Sequence, residues 1–398
     1  MSTQQLTRRS FLQVAGLAAA ATGLSATAAE KPIQGFERAK DKADIHAGWQ
    51  PISDRHIRFG IVGYGVCKFG SAFGFQNHPN VEIVAVSDLI PERCAELAKE
   101  CRCTKTYPSL EELVKDDNIE AVFIATDAPS HARHCMEALK HGKHVACAVP
   151  AVFGSIEDAH KLFDAVKKSG LKYMMFETSC FHEDLYAMRQ IYQAGGFGKV
   201  VYSEGEYFHY IPQPIDSFKG WRIGLPPQFY PTHSNAYYIG VTGGTFTEVS
   251  CQGMRSSIDY LHPDKNRYKN PFGTEIALFR TSEGGMSRMG VSWDTPGHGG
   301  EMGRLRGEKG SFYDQFVTEG AAGKLPSLVR PSLPPGLAPG GHGGSHGYLC
   351  NEFVSAILQD RKPLVDIATA LNLTVSGIVA HKSAMKDGEL LKIPQFRM

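Results

Sequence analysis

Runs of apolar residues alternate with amphipathic stretches through the first half of the chain. Buried strands are predicted at residues 57–62, 81–87, 121–125, 144–147 and 172–176. Helices, recognised by apolar residues at helical spacing, are predicted between these strands at residues 91–101, 130–141 and 156–169. Strands that alternate with helices in this way are typical of an α/β fold with a parallel, doubly wound sheet.

The second half of the chain has a different pattern, in which strands follow one another. Strands are predicted at residues 199–209, 245–254, 274–281 and 286–293. Because no long helix is predicted between them, the pattern favours an open, mainly antiparallel sheet in an α+β domain. A long closing helix is predicted at residues 366–385, and the Pro- and Gly-rich residues 323–347 are predicted to form a long loop.

The pattern divides the chain into four parts: residues 1–29, 30–54, 55–177 and 178–398. The first contains the pair Arg8-Arg9, then an Ala- and Gly-rich apolar stretch and a small-x-small site at Ala26 to Ala28. This order predicts a twin-arginine signal peptide rather than an ordinary amphipathic helix. Residues 30–54 are predicted to be a linker. The expected partner is the twin-arginine export machinery, and the expected location is the periplasm or the extracellular space.

Composition excludes several other classes of protein. The 398 residues include 42 Lys and Arg against 41 Asp and Glu, so the formal charge is +1 and nucleic acid is not an expected partner. Beyond the first thirty residues no apolar run is long enough to span a membrane. The nine cysteines are odd in number and irregularly spaced, which indicates small buried residues rather than a disulfide framework or a zinc site.

The turn after the first predicted strand has features of a nucleotide site. Gly63-Tyr64-Gly65 follows the strand directly, so Gly63 permits a tight turn and Gly65 lets the backbone approach a pyrophosphate. Asp88 ends the second strand, where a carboxylate accepts hydrogen bonds from a ribose and repels a 2′-phosphate. NAD is therefore predicted over NADP. The third glycine of G-x-G-x-x-G is Lys68 here, with Gly70 two residues late. A glycine turn in a cofactor-free sheet is the alternative.

The chain resembles the Gfo/Idh/MocA oxidoreductases in three segments. Residues 125–131 followed by 138–144 are similar to the family's T-P-x-x-x-H…A-x-x-x-G-K-H-V segment, residues 145–150 fall at its E-K-P motif, and residues 193–201 at its junction between domains. The resemblance implies a Rossmann domain followed by a sheet whose face forms a substrate pocket. It places Thr126, Pro129 and His131 beside the cofactor.

Two departures from the family pattern affect the expected chemistry. The E-K-P motif reads Ala148-Val149-Pro150, so its lysine is missing, and Ala236 occupies the Asp position of the family's G-x-H-x-x-D pattern. Removing a hydride from a carbinol carbon also requires a base for the hydroxyl proton. The remaining candidates are His233 and Tyr230.

Tyr230-Pro231-Thr232-His233 resembles one branch of the family, the NAD-dependent glycoside hydrolases related to α-N-acetylgalactosaminidase. The resemblance implies a redox-neutral cycle in which a ring hydroxyl of a sugar is oxidised, a leaving group is eliminated, water adds and the hydride returns. Tyr230 and His233 then transfer protons, and His182 is a third candidate beside Phe181, where that branch tends to have tyrosine. The alternatives are a net sugar dehydrogenase with tightly bound cofactor and a nucleotide-binding protein that has lost catalysis.

Several further residues are candidates for contact with a carbohydrate. His209, Trp221 and Arg222 lie where a strand ends, and they either hold a sugar or pack in the core or a subunit interface. His298 and His342 lie in glycine-rich loops, which are predicted to contact substrate or form structural turns. No metal site is predicted, because flexible glycines do not orient ligands. The open sheet faces predict a homo-oligomer.

Overall fold

The computed structural model describes residues 45–318 and 325–398. The predicted signal peptide and residues 30–44 of the predicted linker therefore lie outside the described residues. Residues 45–54 form no helix or strand. They contact the rest of the protein near Leu333, whose backbone N–H donates to the Ile45 carbonyl at 3.0 Å and whose carbonyl lies 3.0 Å from Nδ1 of His46.

The first half of the chain forms a six-stranded sheet with every pair of neighbouring strands parallel, which confirms the doubly wound α/β prediction. Its strand order is β3-β2-β1-β4-β5-β6. The strands are β1 (Ile57–Val62), β2 (Val81–Ser87), β3 (Thr106–Tyr107), β4 (Ala121–Ile124), β5 (His144–Cys147) and β6 (Tyr173–Met175). The helices are α1 (Phe69–Ala72), α2 (Pro91–Glu100), α3 (Leu110–Leu113), α4 (His131–Lys140) and α5 (Ile156–Ser169).

The second half forms an eight-stranded, mostly antiparallel sheet, as predicted, in the order β13-β12-β11-β7-β10-β9-β8-β14. Within this second sheet, as far as the chain is described, only the pairing of β7 with β10 is parallel. The strands are β7 (Val200–Phe208), β8 (Phe246–Arg255), β9 (Phe272–Thr281), β10 (Met286–Ser292), β11 (Gly300–Gly307), β12 (Gly310–Phe312), β13 (Phe316–Thr318) and β14 (Leu391–Lys392). The helices are α6 (Glu183–Gln193), α7 (Thr232–Thr242), α8 (His346–Leu358) and α9 (Ile367–Ala384).

Helix α7 corrects the expectation that no long helix separates the strands. It lies between β7 and β8, and almost all of its residues are buried. A helix buried on every side has no amphipathic stripe, and four polar residues at 232–235 further obscure its pattern. The predicted loop 323–347 is also too long, because helix α8 already begins at His346. Residues 323 and 324 lie outside the described part of the chain.

Glycines in the second sheet let α7 lie directly against the strands. A Cβ at Gly205 of β7 would be 2.0 Å from the carbonyl oxygen of Ser234, and a Cβ at Gly303 of β11 would be 2.3 Å from the ring of Tyr237. On its other side, the Asn235 amide donates to the Leu373 carbonyl at 2.9 Å and to Ser376 Oγ at 3.0 Å in α9. The start of α7 is therefore fixed over β7 and β11.

We expect Gly205→Ala to destabilise the protein by about 3 kcal/mol, since its methyl group overlaps backbone and α7 must shift. Urea denaturation without added nucleotide measures this change. Gly65→Ala is the matched control, because a Cβ at Gly65 meets nothing within 4 Å. Equal unfolding midpoints for the two variants would contradict the close packing of α7 on β7.

Candidate active site

The turn between β1 and α1 is built around two glycines with different roles. Gly63 has φ +100°, and a Cβ there would lie 2.4 Å from the Ala125 carbonyl oxygen, so only glycine fits. Gly70 lies in α1, where a Cβ would be 2.5 Å from the Gly63 carbonyl oxygen and 2.9 Å from Leu97. Gly70 thus performs the close-packing role of the fingerprint's third glycine. The helix that follows this turn, α1, is a single turn long.

A cleft of about 270 Å³, here called the cofactor cleft, opens beyond this turn. It is lined by most of the predicted cofactor residues: Gly63, Tyr64, Gly65, Asp88, Thr126 and His131. Pro129 does not line the cleft, although its neighbours Ala128 and Ser130 do. His131 is held by two carbonyl oxygens, with Nδ1 2.8 Å from that of Pro150 and Nε2 3.2 Å from that of Thr126.

Asp88 has the geometry that a ribose-binding carboxylate requires. Its Oδ2 accepts from the Tyr64 backbone N–H at 2.6 Å and its Oδ1 from that of Ile90 at 2.9 Å. These two bonds fix the carboxylate at the wall of the cleft and leave lone pairs for further donors. Because a Cβ at Gly65 would project into open space, the backbone there is free to approach a pyrophosphate. The residues present therefore fit a dinucleotide.

Tyr230, Trp221 and Arg222 line the cofactor cleft together with Val149. The Tyr230 hydroxyl donates to the Val149 carbonyl oxygen at 3.1 Å, so it lies beside the position where the family motif carries lysine. The Arg222 guanidinium lies 4.3 Å from the Trp221 ring centre. Burial raises the pKa of Tyr230 to about 12, although Arg222 opposes this shift. Tyr230 is thus a neutral hydrogen-bond donor at pH 7 and not a base.

A buried carboxylate holds the segment that precedes Tyr230. Glu275 of β9 is fully buried, and its Oε2 accepts from the Gln228 backbone N–H at 2.7 Å. Its Oε1 lies 2.7 Å from Nδ1 of His381 in α9. Strand β9 and helix α9 therefore fix the backbone at Gln228, two residues before Tyr230.

Next to the cofactor cleft lies a smaller cavity, here called the aromatic cavity. Arg222 and Tyr230 line both spaces. The other walls of the aromatic cavity include Tyr207, His209, Tyr260 and Trp293. The Tyr207 hydroxyl lies 3.1 Å from Nδ1 of His209, and burial, followed by the charge of Arg222, lowers the pKa of His209 to about 4. His209 is therefore a neutral hydrogen-bonding group at pH 7.

His233 belongs to a buried group of ionisable residues, here called the carboxylate–histidine cluster, consisting of Glu177, His182, His233 and Glu301. Nδ1 of His233 lies 2.7 Å from Oε1 of Glu177 and 3.5 Å from Oε1 of Glu301. His233 lines neither cavity, but its ring centre is 4.5 Å from that of Tyr207 and 5.8 Å from that of Tyr230, which do. Its Nε2 makes no hydrogen bond within the described part of the chain.

Glu177 and Glu301 were not among the predicted site residues. Their carboxylates contact His233 in place of the family's aspartate, whose position is occupied by Ala236 here. Glu177 follows β6 and Glu301 begins β11, so neither lies near His233 in sequence. Burial alone would lower the pKa of His233, but Glu177 and then Glu301 raise it to about 9. In turn, the His233 charge holds the pKa values of both carboxyl groups below their ordinary value, despite burial. The only local signal for Glu177 was its place at the carboxyl end of a predicted strand.

The remaining candidates occupy different surroundings. His182 lies with Nε2 3.1 Å from Oε2 of Glu301, in the carboxylate–histidine cluster. His342 has Nδ1 2.8 Å from Nε2 of His346 and its ring 5.8 Å from that of Phe69, which lines the cofactor cleft. His298 is exposed and lines neither cavity.

Residues 45–318 and 325–398 contain no group of three or more His, Cys, Asp or Glu side chains arranged to hold a metal ion. Over the same ranges, no helix has the length and apolar composition that a membrane crossing requires.

The glycine turn, the parallel sheet and the placed Asp88 define a dinucleotide-binding Rossmann fold. Residues 57–177 match the GFO_IDH_MocA family model, described as oxidoreductase family, NAD-binding Rossmann fold. The prediction of an NAD-dependent enzyme family is thereby confirmed. Across the whole chain, a glycosyl hydrolase family 109 protein of Solibacter usitatus (strain Ellin6076) is 23% identical, with 98% of this chain and 96% of the relative covered.

Two further comparisons bear on parts of the molecule. A glycosyl hydrolase family 109 protein 1 of Bacteroides thetaiotaomicron is 32% identical over 162 residues, which cover 38% of this chain and 34% of the relative. Among solved structures, levoglucosan dehydrogenase in complex with NADH and levoglucosan has the same fold with a TM-score of 0.69, at 18% identity, over 86% of this chain and 100% of the other. Scyllo-inositol dehydrogenase from Lactobacillus casei with NAD(H) and scyllo-inositol gives a TM-score of 0.65 at 17% identity, over 85% of this chain and 99% of the other.

Replacing Asp88 by Asn removes the charge that a ribose hydroxyl would bond and that would repel a 2′-phosphate. We expect NAD affinity to fall about 10- to 150-fold, because a hydrogen bond to a charged group contributes about 1.5–3 kcal/mol. The preference for NAD over NADP should shrink. Isothermal titration with each nucleotide measures both changes. Glu82→Gln, an exposed position on β2, the strand that precedes Asp88, is the control. Unchanged NAD affinity in Asp88→Asn would remove Asp88 from the nucleotide site.

Proposed function

We propose that the protein acts on a sugar or glycoside by hydride transfer at a ring carbinol, in a redox-neutral cycle that hydrolyses a glycosidic bond. The observation that carries this proposal is the carboxylate–histidine cluster lying directly behind Tyr207 and Tyr230, where the cofactor cleft and the aromatic cavity meet. Bound NAD supplies the hydride acceptor for such chemistry. The names of the family 109 relatives support hydrolysis as its outcome.

The chain's own residues would hold the sugar and move its protons. Trp221 offers a flat aromatic face, and Arg222 offers donors to hydroxyl groups at the junction of the two cavities. Tyr230 keeps its proton, and in the substrate complex its hydroxyl turns from the Val149 carbonyl to donate to oxygen at the reacting carbon. Glu177 orients His233 through Nδ1, so Nε2 is the nitrogen that accepts a proton, as in other carboxylate–histidine pairs.

A net sugar dehydrogenase is the second candidate, favoured by the fold shared with levoglucosan dehydrogenase. One experiment separates the candidates. The protein is incubated with free sugars and with nitrophenyl glycosides without added acceptor. Nitrophenol release without accumulation of NADH supports the redox-neutral cycle, whereas NADH accumulation with free sugars supports the dehydrogenase. Absence of both over a broad panel, with NAD bound, supports the third alternative of a nucleotide-binding protein without catalysis.

Export would suit a redox-neutral cycle, and we propose that residues 1–29 direct the protein through the twin-arginine route to the periplasm or the extracellular space. Outside the cytoplasm no general NAD pool reoxidises a released cofactor. An enzyme that ends each turnover with its NAD oxidised does not need one. Mass spectrometry of small molecules released from the denatured, exported protein tests whether NAD stays bound.

A homo-oligomer is also proposed, formed through the outer face of the second sheet. Leu278 of β9, Met286 of β10 and Met302 of β11 project from this face according to the strand register, and each is nearly half exposed. They lie among the ion-paired side chains of Arg288, Arg304, Glu204 and Glu206, so the proposed interface would combine apolar and charged contacts. Light scattering of the purified protein tests this assembly.

Replacing His233 by Asn should lower kcat by about 10²–10⁴-fold, the contribution of a positioned general base. Asparagine can still donate to Glu177 but cannot carry a proton. NAD affinity should not change, because His233 does not line the cofactor cleft. Steady-state kinetics and nucleotide titration measure the two effects, with His262→Gln, an exposed histidine, as control. Turnover equal to that of the parent protein would exclude His233 as the base.

The pH dependence of kcat/KM follows from the raised pKa of His233. A base must be deprotonated to act, so kcat/KM should rise about tenfold per pH unit below pH 9 and level off above it. Glu177→Gln removes the carboxylate that holds the proton, so the level region should begin at a lower pH. A pH–rate profile that falls between pH 7 and 9 would instead indicate that His233 acts as an acid.

A further inference from the structure

Arg222 places a positive charge at the junction of the cofactor cleft and the aromatic cavity, because it lines both spaces. Its guanidinium lies 4.3 Å from the ring centre of Trp221 and 5.8 Å from that of Tyr230. The Arg222 backbone N–H donates to Ser217 Oγ at 3.2 Å. The Tyr268 hydroxyl donates to the carbonyl of the preceding residue, Trp221, at 2.5 Å. The backbone that carries the cation is therefore fixed from both sides.

Within the described residues, no carboxylate forms an ion pair with this guanidinium. It lies 4.0 Å from Cys67 Sγ, and the other side chains that act on its pKa are those of Tyr207 and Tyr230. Burial raises the pKa of each of these three groups, so none of them is ionised at pH 7. A neutral ligand that fills the junction would remove water from the cation without supplying an opposite charge, which costs free energy.

The four acidic side chains that line the cofactor cleft each have a partner other than Arg222. These partners are two backbone N–H groups for Asp88, Arg133 for Glu111 at 2.6 Å, the Ser130 hydroxyl for Asp127 at 2.9 Å and Arg93 for Asp216 at 3.7 Å. The charges of Glu177 and Glu301, behind the tyrosines, are balanced in part by His233. The counter-charge that Arg222 lacks must therefore come from a ligand.

The aromatic cavity supplies a second donor and no acid, since none of the described residues that line it is Asp or Glu. Its His209 is neutral at pH 7, with Nδ1 3.1 Å from the Tyr207 hydroxyl, and Nε2 makes no hydrogen bond among the described residues. With the Tyr207 hydroxyl as donor to Nδ1, Nε2 carries the ring proton and can donate it. A guanidinium and an imidazole N–H beside one cavity are donors that suit an anion.

The size of the aromatic cavity limits the group that enters it. Its volume is about 10 Å³, which is room for about one water molecule, whereas the cofactor cleft measures about 270 Å³. A sugar ring must therefore lie in the wider cleft and direct one small substituent towards the cavity. One cation and one neutral donor balance a single negative charge, which favours a carboxylate over a phosphate.

Position 148 adds to the same imbalance of charge. The E-K-P motif of the family has glutamate at this position, where the present chain has alanine, and Ala148 lines the cofactor cleft together with Arg222. Replacing that carboxylate by a methyl group removes a negative charge from the cleft, so an anionic substrate meets less repulsion there.

We propose that the substrate is an acidic sugar, a glycoside whose ring carries a carboxylate, and that Arg222 is the residue that selects it; this inference rests on the proposed function. The planar guanidinium forms two parallel hydrogen bonds with the carboxylate. One carboxylate oxygen then lies at the mouth of the aromatic cavity, where His209 donates to it. The carboxylate takes no part in hydride transfer, so Arg222 determines specificity and adds no chemical step.

Matched pairs of nitrophenyl glycosides test this inference: the glucuronide against the glucoside, and the galacturonide against the galactoside. The members of each pair differ only in a carboxylate or a hydroxymethyl group. For at least one pair, kcat/KM of the uronide should exceed that of the neutral glycoside by about 10- to 150-fold, the contribution of a hydrogen bond to a charged group. Equal or faster hydrolysis of the neutral member in both pairs would overturn the inference.

Variants of Arg222 assign this preference to the guanidinium. Arg222→Gln should abolish it, whereas Arg222→Lys, which keeps the charge but loses the two parallel donors, should retain part of it. Arg255→Gln is the matched control, because Arg255 is exposed and lines neither cavity. A preference for uronides that survives in Arg222→Gln would show that another group binds the carboxylate.

A binding measurement separates this inference from the proposed function. The protein loaded with NAD is titrated calorimetrically with glucuronate, galacturonate, glucose and galactose. A uronate should bind more tightly than its neutral sugar, and Arg222→Gln should lower its affinity about 10- to 150-fold, while Arg255→Gln leaves it unchanged. Failure of both uronates to bind would overturn the inference. So would a loss of NAD affinity in Arg222→Gln with unchanged uronate affinity, because the cation would then serve the dinucleotide's diphosphate.

The two kinds of measurement fail independently. Arg222-dependent binding of a uronate by a protein that hydrolyses no glycoside would keep the acidic-sugar site and reject the proposed function. Hydrolysis of neutral glycosides without any preference for uronides would keep the proposed function and reject the acidic substrate.

Discussion

The close approach of helix α7 to strands β7 and β11 is the constraint on which the candidate site depends. Gly205 and Gly303 remove the side chains that would otherwise hold the helix away from the sheet. The first turn of α7 then brings His233 against the ring of Tyr207 on one strand and the carboxylate of Glu301 on the other. A glycine in a strand normally weakens it, so two such positions facing one helix indicate packing that serves the site.

Burial of charge accounts for the chemistry of the site. A histidine enclosed by aromatic rings would ordinarily be neutral, but two carboxylates reverse that tendency at His233. His209, whose Nδ1 lies 3.1 Å from the Tyr207 hydroxyl, has the cation of Arg222 nearby and is neutral. Two histidines in contact with one tyrosine therefore differ in charge at neutral pH.

Local sequence predicted the first sheet closely, because its strands are continuous apolar runs and its helices are amphipathic. The prediction for residues 57–62 coincides with β1, and that for residues 156–169 coincides with α5. Helix α7 could not be predicted in the same way, since apolar and polar residues alike are buried on all its sides. Glu177 and Glu301 were not predicted as site residues, because only tertiary packing brings them to His233, from 56 and 68 residues away along the chain. Asp88, by contrast, could be predicted, because the motif that includes it consists of one strand end and one glycine turn.

Arg222 and Tyr230 form part of the walls of both the cofactor cleft and the aromatic cavity. Whatever occupies one space must therefore change the environment of the other. Thermodynamic linkage makes that influence mutual: a ligand in the cofactor cleft that orients the guanidinium and the phenol would alter the affinity of a ligand in the aromatic cavity by the same factor as the reverse. Two shared side chains are thus sufficient to couple the binding of two ligands without any movement of the sheets.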